Sequence, residues 1–266
     1  MPLSGLTTKH VDRTATRRAE ARFSFWVAVL TAALAAAALA MAVTTPPRSG
    51  PYCSMSCIVY PYTNAAAFVP RDYLWMYPAA LLSMTFVVLV TCVHRHATDD
   101  LKSCSLVAMC FASLGAGLIL SDYVIQIAVV QPSLLDGQVT GLSLFSQYNP
   151  HGIFIALEDG GYSLMGLAFL FSGLSLGRLT RLERVVRRLL VISGVAVIGV
   201  LVTLALIFGK DLEYRFEVIA LSIDWIVLVV AGVLLGVVFK RLMRASPPAP
   251  QVAATGERLA KGATGP

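Results

Sequence analysis

Apolar residues gather into six long runs, Phe23 to Val43, Tyr73 to Val93, Ser103 to Val130, Pro150 to Gly177, Leu189 to Phe208 and Phe216 to Phe239, and polar residues are concentrated between them. Each run meets the roughly 20 residues that a helix needs to cross about 30 Å of hydrocarbon. In lipid, backbone N–H and C=O groups must be satisfied internally, and runs this long and continuous do not alternate as barrel strands do. The pattern therefore predicts an all-α fold: a polytopic integral membrane protein with a bundle of six transmembrane helices over 23–244. Segment 1–22 reads as a basic, mostly disordered arm. Segment 245–266, opening on Ser246-Pro247-Pro248-Ala249-Pro250, lacks apolar periodicity and reads as a disordered tail.

Composition agrees with a lipid solvent. Hydrophobic residues are 57% of the chain, charged residues 14%, and mean hydropathy is +0.74, too little polar surface for a water-soluble domain of this size. Charge sets the orientation. Seventeen of the 21 lysines and arginines fall in segments that share one side of the six runs, and only Arg48, Arg71, Lys210 and Arg215 fall on the other. By the positive-inside rule both termini are cytoplasmic, and the segments 44–72, 131–149 and 209–215 face out. Tyr73, Trp75 and Tyr77 suit an outer interfacial belt. The net charge of +6 is thus an orientation signal and does not point to nucleic acid. The expected partner is the bilayer, with Arg178, Arg181, Arg184 and Arg188 at helical spacing where anionic headgroups would lie. Arginine-over-lysine usage and abundant alanine suggest a bacterial plasma membrane.

Some local features carry alternatives. Ala40-Met41-Ala42 matches a small-x-small cleavage pattern, but the basic segment and apolar run before it are long for a cleaved signal and suit a first span. Gly173-x3-Gly177 and Gly232-x3-Gly236 favour close helix contact. In the loop 131–148, Leu135, Val139 and Leu142 have the spacing of a short helix lying on the membrane. Cys53 and Cys57 fall in an outward, oxidising segment and are expected to form a local disulfide.

The candidate chemistry is a set of acids inside the spans. Asp122 and Gln126 fall in the third run, Glu158 and Asp159 in the fourth, and Asp224 in the sixth. Ionisable residues within a membrane are costly, and function is their default reading. Asn149 as N-cap and Pro150 as first helical residue would start the fourth helix. Asp122, Glu158 and Asp224 then lie at one depth, roughly 12 Å from the outer ends of their helices. His151 and Tyr162 share the Glu158 face, Gln126 that of Asp122, and Glu217 that of Asp224. No lysine or arginine lies in the hydrocarbon portion of any run, so the acids must be protonated, hydrated or bound to a cation. Gly160-Gly161, directly after two of them, permits local unwinding.

Asp122, Gln126, His151, Glu158, Asp159, Tyr162 and Asp224 are therefore the expected lining of an outward-facing cavity for a proton, cation or small solute. The competing expectation is a non-catalytic membrane subunit or sensor whose acids hold helices together. No nucleophile elbow, zinc-protease helix, phosphate loop or dinucleotide fingerprint is present, so an enzyme is the less favoured class. The sequence assigns no metal site.

Overall fold

The computed structural model describes the backbone of residues 4–177 and 180–244, with side chains from residue 16 onward. Seven α-helices carry the architecture: α1 Ser4–Val43, α2 Met76–His96, α3 Lys102–Ile125, α4 Gln131–Leu135, α5 Ile153–Ser175, α6 Arg181–Phe208 and α7 Tyr214–Arg244. No strand occurs among the described residues. Six helical stretches are long and apolar enough to cross a membrane. Neighbours in space run α1, α2, α3, α5, α6, α7 and back to α1, with α5 also touching α2 and α7.

Small residues set the helix spacing. A Cβ placed on Gly115 of α3 would lie 2.9 Å from the Gly161 carbonyl oxygen of α5, so these two backbones touch. One on Gly232 of α7 would lie 2.8 Å from the Ala28 carbonyl oxygen of α1. Such close approach is how helices associate where lipid offers no hydrophobic driving force. Gly160 and Gly161 lie within an uninterrupted α5, so helix packing and not unwinding accounts for the pair.

The two ends of the bundle differ. The loop-rich end is built by the segments 44–75, 136–152 and 209–213; the arginine-rich end holds the start of α1, the α2–α3 turn, the start of α6 and the end of α7. At the arginine-rich end a capping box closes α6, with Glu183 N–H donating to Thr180 Oγ1 (3.2 Å) and Thr180 N–H to Glu183 Oε2 (2.9 Å). Arg187 Nη1 donates to the carbonyls of Gly173 (3.2 Å), Leu174 (2.6 Å) and Leu176 (3.1 Å), satisfying the end of α5. Arg95 pairs with Glu20. Arg181, Arg184 and Arg188 are exposed on α6, whereas Arg178 lies outside the described residues.

Several expectations are corrected. The helix α1 begins at Ser4, inside the segment 1–22 read as mostly disordered, while the tail 245–266 lies outside the described residues. The third span does not stop at Val130. A π-helical turn, Gln126–Val130, carries it into α4, with Gln131 N–H bonding to the Gln126 carbonyl. Pro132 follows at once, and a proline within a helix removes one backbone donor and crowds the preceding turn. Residues 131–135 therefore extend the third helical stretch, and Leu135, Val139 and Leu142 do not share one short helix, since Val139 lies between helices and Leu142 opens a separate 3₁₀ turn. Tyr73 and Trp75 form no belt either: a 3₁₀ turn at Arg71–Tyr73 directs them inward, where they are buried, and only Tyr77 is exposed.

Candidate functional site

The fourth span begins later than Asn149 and Pro150 suggest. Asn149 Oδ1 accepts from the His151 N–H (3.0 Å) and its Nδ2 donates to the Ser143 carbonyl (2.9 Å), so this asparagine closes a turn instead of capping a helix. Gly152 takes the N-cap and α5 starts at Ile153. Glu158 is then five residues inside α5, about 7.5 Å along its axis, and Glu217 three residues inside α7, about 4.5 Å. Asp224 lies about 15 Å into α7, too deep to stand level with Glu158. The acid opposite Glu158 is Glu217.

The Glu158 and Glu217 side chains lie within hydrogen-bonding reach of one another. Glu158 is fully buried and Glu217 is 9% exposed. Tyr123 of α3 donates to Glu158 Oε1 (2.6 Å), and the Tyr162 hydroxyl lies 2.8 Å from that of Tyr123. Since Tyr123 has one proton to give, Tyr162 donates to Tyr123 when Tyr123 donates to Glu158. Asp122 lies within electrostatic reach of both glutamates, and Asp159 of Glu217. Asp122 Oδ2, Glu158 Oε2, Asp159 Oδ1 and Glu217 Oε2 are buried without a hydrogen-bond partner. The ion pairs of the described residues are Arg48–Asp72, Arg95–Glu20, Lys102–Asp99 and Arg215–Glu213, and none includes these acids.

The remaining residues of the expected set go elsewhere. Gln126 is buried, but its Nε2 donates to the Phe145 carbonyl (2.7 Å), tying the π turn to the 136–152 loop. His151 is exposed and its Nε2 lies 3.1 Å from the Lys210 carbonyl oxygen, so it bridges two loops and is not a wall of the acid cluster. Asp224 is fully buried below the cluster, within electrostatic reach of Tyr162, with both oxygens unpartnered. Cys53 and Cys57 are joined by a disulfide in the 44–75 segment.

Beside Glu217 is a cavity of about 320 Å³ between the end of α1, the start of α7 and the loops of that end. Its wall includes Arg48, Asp72, Trp75, Tyr148, Phe154 and Tyr214 as well as Glu217. Arg48 Nε donates to Asp72 Oδ2 (3.0 Å), and its guanidinium lies 4.1 Å from the centre of the Phe68 ring. The Tyr148 hydroxyl donates to the same Asp72 oxygen (3.2 Å). Burial, with Tyr73 and Asp72 beside it, raises the pKa of Tyr148, so it remains a donor. Ser49 Oγ donates to the Tyr148 carbonyl (2.6 Å) and lies 2.8 Å from the Tyr214 hydroxyl, which binds the first loop to the second and to α7. Trp75 packs edge-on against Tyr123 with ring centres 5.4 Å apart, separating the cavity from the tyrosine pair.

Sequence reasoning left four of these residues out of the site. Glu217 was visible only as the partner of Asp224 on one stripe of the sixth run. Tyr123 is adjacent to Asp122, but its direction depends on helix rotation. Arg48 and Asp72 meet across a loop of 24 residues, for which local sequence carries no signal. Among the described residues no group of three His, Cys, Asp or Glu side chains is arranged to hold a metal ion. Comparison with known proteins finds no match to this chain, whether among family models, curated proteins or solved structures.

Proposed function

We propose that this is a multi-pass protein of a bacterial plasma membrane, with both termini cytoplasmic, that takes up a proton or cation at the Glu158–Glu217 pair from a cavity open to the outside. One observation carries the reading: two carboxyls from different helices face each other in a buried site with no basic partner, and one of them lines a cavity. Two buried carboxylates cannot both stay ionised at such range without a proton or cation between them. The orientation rests on the seventeen-to-four division of basic residues, which puts the arginine-rich end inside. Exposed Arg181, Arg184 and Arg188 there suit anionic headgroups.

A second reading has its own support. Tyr123 of α3 hydrogen-bonds to Glu158 and to Tyr162 of α5, which is how structural polar groups hold helices together. In that case the protein is a membrane subunit or sensor and the acids bind nothing. Thermal melting of the purified protein across pH and added cations separates the two. Under the first reading melting depends on pH or cation, and Glu158→Gln, Glu217→Gln and Asp122→Asn abolish the dependence while leaving the protein folded. Under the second, these isosteric amides are nearly neutral and no cation shifts the curve. The orientation is tested separately: a cysteine placed at position 136 should be labelled from outside, and a reporter after Pro266 should be active only in the cytoplasm.

A further inference from the structure

The cavity at Glu217 has the size of a small-molecule site, where pockets run from roughly 300 to 1,000 Å³, and far exceeds what a proton or bare ion fills. Its wall says what would fill it. Trp75, Tyr148, Phe154 and Tyr214 supply aromatic surface. Among the described residues, the one cation in the wall is Arg48, and it is already engaged by Asp72 and the Phe68 ring. Glu217 is the charge left over: it lines the cavity, is nine-tenths buried, and its Oε2 is buried without a hydrogen-bond partner. Asp122, Glu158 and Asp159, with Tyr123, Tyr162 and Asp224 behind them, add no compensating positive charge. The wall also includes Val43 of α1 and Val218 of α7, which are 73% and 41% exposed on apolar helix faces. The cavity therefore reaches the surface between α1 and α7, where an apolar body arriving through the bilayer would meet it.

Building on the carboxyl-pair reading, we infer that this cavity binds an organic ammonium ion carried on an apolar body. The ammonium docks against Glu217 and the apolar part lies along the aromatic wall and between α1 and α7. A largely buried carboxylate gives a charge-assisted hydrogen bond, and ring faces attract a cation within about 6 Å of their centres. An anionic ligand would meet Glu217, and among the described residues of the wall the only cation, Arg48, is held by Asp72. The same chemistry is available from a dissolved lipophilic amine or from a lipid with an amine headgroup.

The probe is n-octylamine, titrated by calorimetry into the full chain in a non-ionic detergent at a pH where the amine is charged. Octanol and octanoate serve as neutral and anionic controls of matched length. Octylammonium is expected to bind saturably, the controls to bind at least tenfold more weakly, and Glu217→Gln to weaken octylammonium at least tenfold. Val218→Trp, which narrows the opening at an exposed position without touching charge, should also weaken it. Reconstitution in phosphatidylethanolamine rather than phosphatidylglycerol nanodiscs identifies the source: competition by the former points to a lipid headgroup, and equal binding in both to a free amine. Octanoate binding as tightly as octylammonium, or unchanged affinity in both variants, would overturn the inference. If octylammonium does not bind while melting still depends on pH or inorganic cation through Glu158 and Glu217, only the ligand class fails. If that dependence is missing as well, the carboxyl-pair reading fails with it.

Discussion

Arg187 and Glu217 are both charged side chains close to a helix end, and they are used in opposite ways. At the arginine-rich end Arg187 answers three carbonyls of α5, Thr180 and Glu183 answer each other, and Arg95 answers Glu20. Charge there completes helix termini. At the loop-rich end Glu217, Glu158, Asp122 and Asp159 each keep a buried oxygen without a partner, beside a cavity. The Arg48–Asp72 pair with its tyrosine and the Arg215–Glu213 pair behave there more as the other end does, although Asp72 keeps Oδ1 buried without a partner. A charge that is fully answered needs nothing further, whereas an unanswered buried charge costs stability unless a proton or ligand supplies the missing partner. The contrast separates the polar groups that build this protein from those available for chemistry.

Substitutions at the two ends should therefore differ in kind. The largest loss is expected for Arg48→Ala, which strands Asp72 at 1% exposure; breaking such a pair costs about 3–5 kcal/mol. Unfolding in detergent would measure it, and adding Asp72→Asn should recover part of the loss. Arg187→Ala comes next, at about 2 kcal/mol for charge-assisted bonds to carbonyls, with the pH and cation response left intact. A loss of that response in Arg187→Ala would erase the distinction between the ends. Thr180→Ala should cost about 1 kcal/mol through the lost N-cap. Smallest in stability and largest in behaviour are Glu158→Gln and Glu217→Gln, which should stay within about 1 kcal/mol of the parent at fixed pH. Their melting should then be flat where that of the parent responds.

What the sequence could reveal follows the same division. Six apolar runs foretold six helices long and apolar enough to span a membrane, because length and hydropathy are properties of each run alone. Helix starts were harder. Asn149 and Pro150 have the composition of a helix start, but the Asn149 side chain is taken by the His151 N–H, and the three-residue delay replaces Asp224 with Glu217 opposite Glu158. The π turn before Pro132 shifts the third span by a residue that no periodicity announces. Tyr73 and Trp75 were misdirected for a related reason: an aromatic near a helix start suits an interface or a core equally, and the 3₁₀ turn before α2 decides. The cavity itself joins residues from the end of α1, the first loop, the second and α7, a convergence that exists only once the bundle is assembled.

Infrared difference spectroscopy on the protonated-carboxyl stretch addresses the carboxyl pair without relying on stability. The parent protein, titrated with acid or with cation, should show a buried carboxyl band that appears or vanishes as the pair changes occupancy. That band should be lost in both Glu158→Gln and Glu217→Gln and kept in Asp72→Asn. Identical difference spectra in the parent and the two glutamine variants would show that the pair takes up nothing, and the acids of the loop-rich end would then be structural like the arginines of the other.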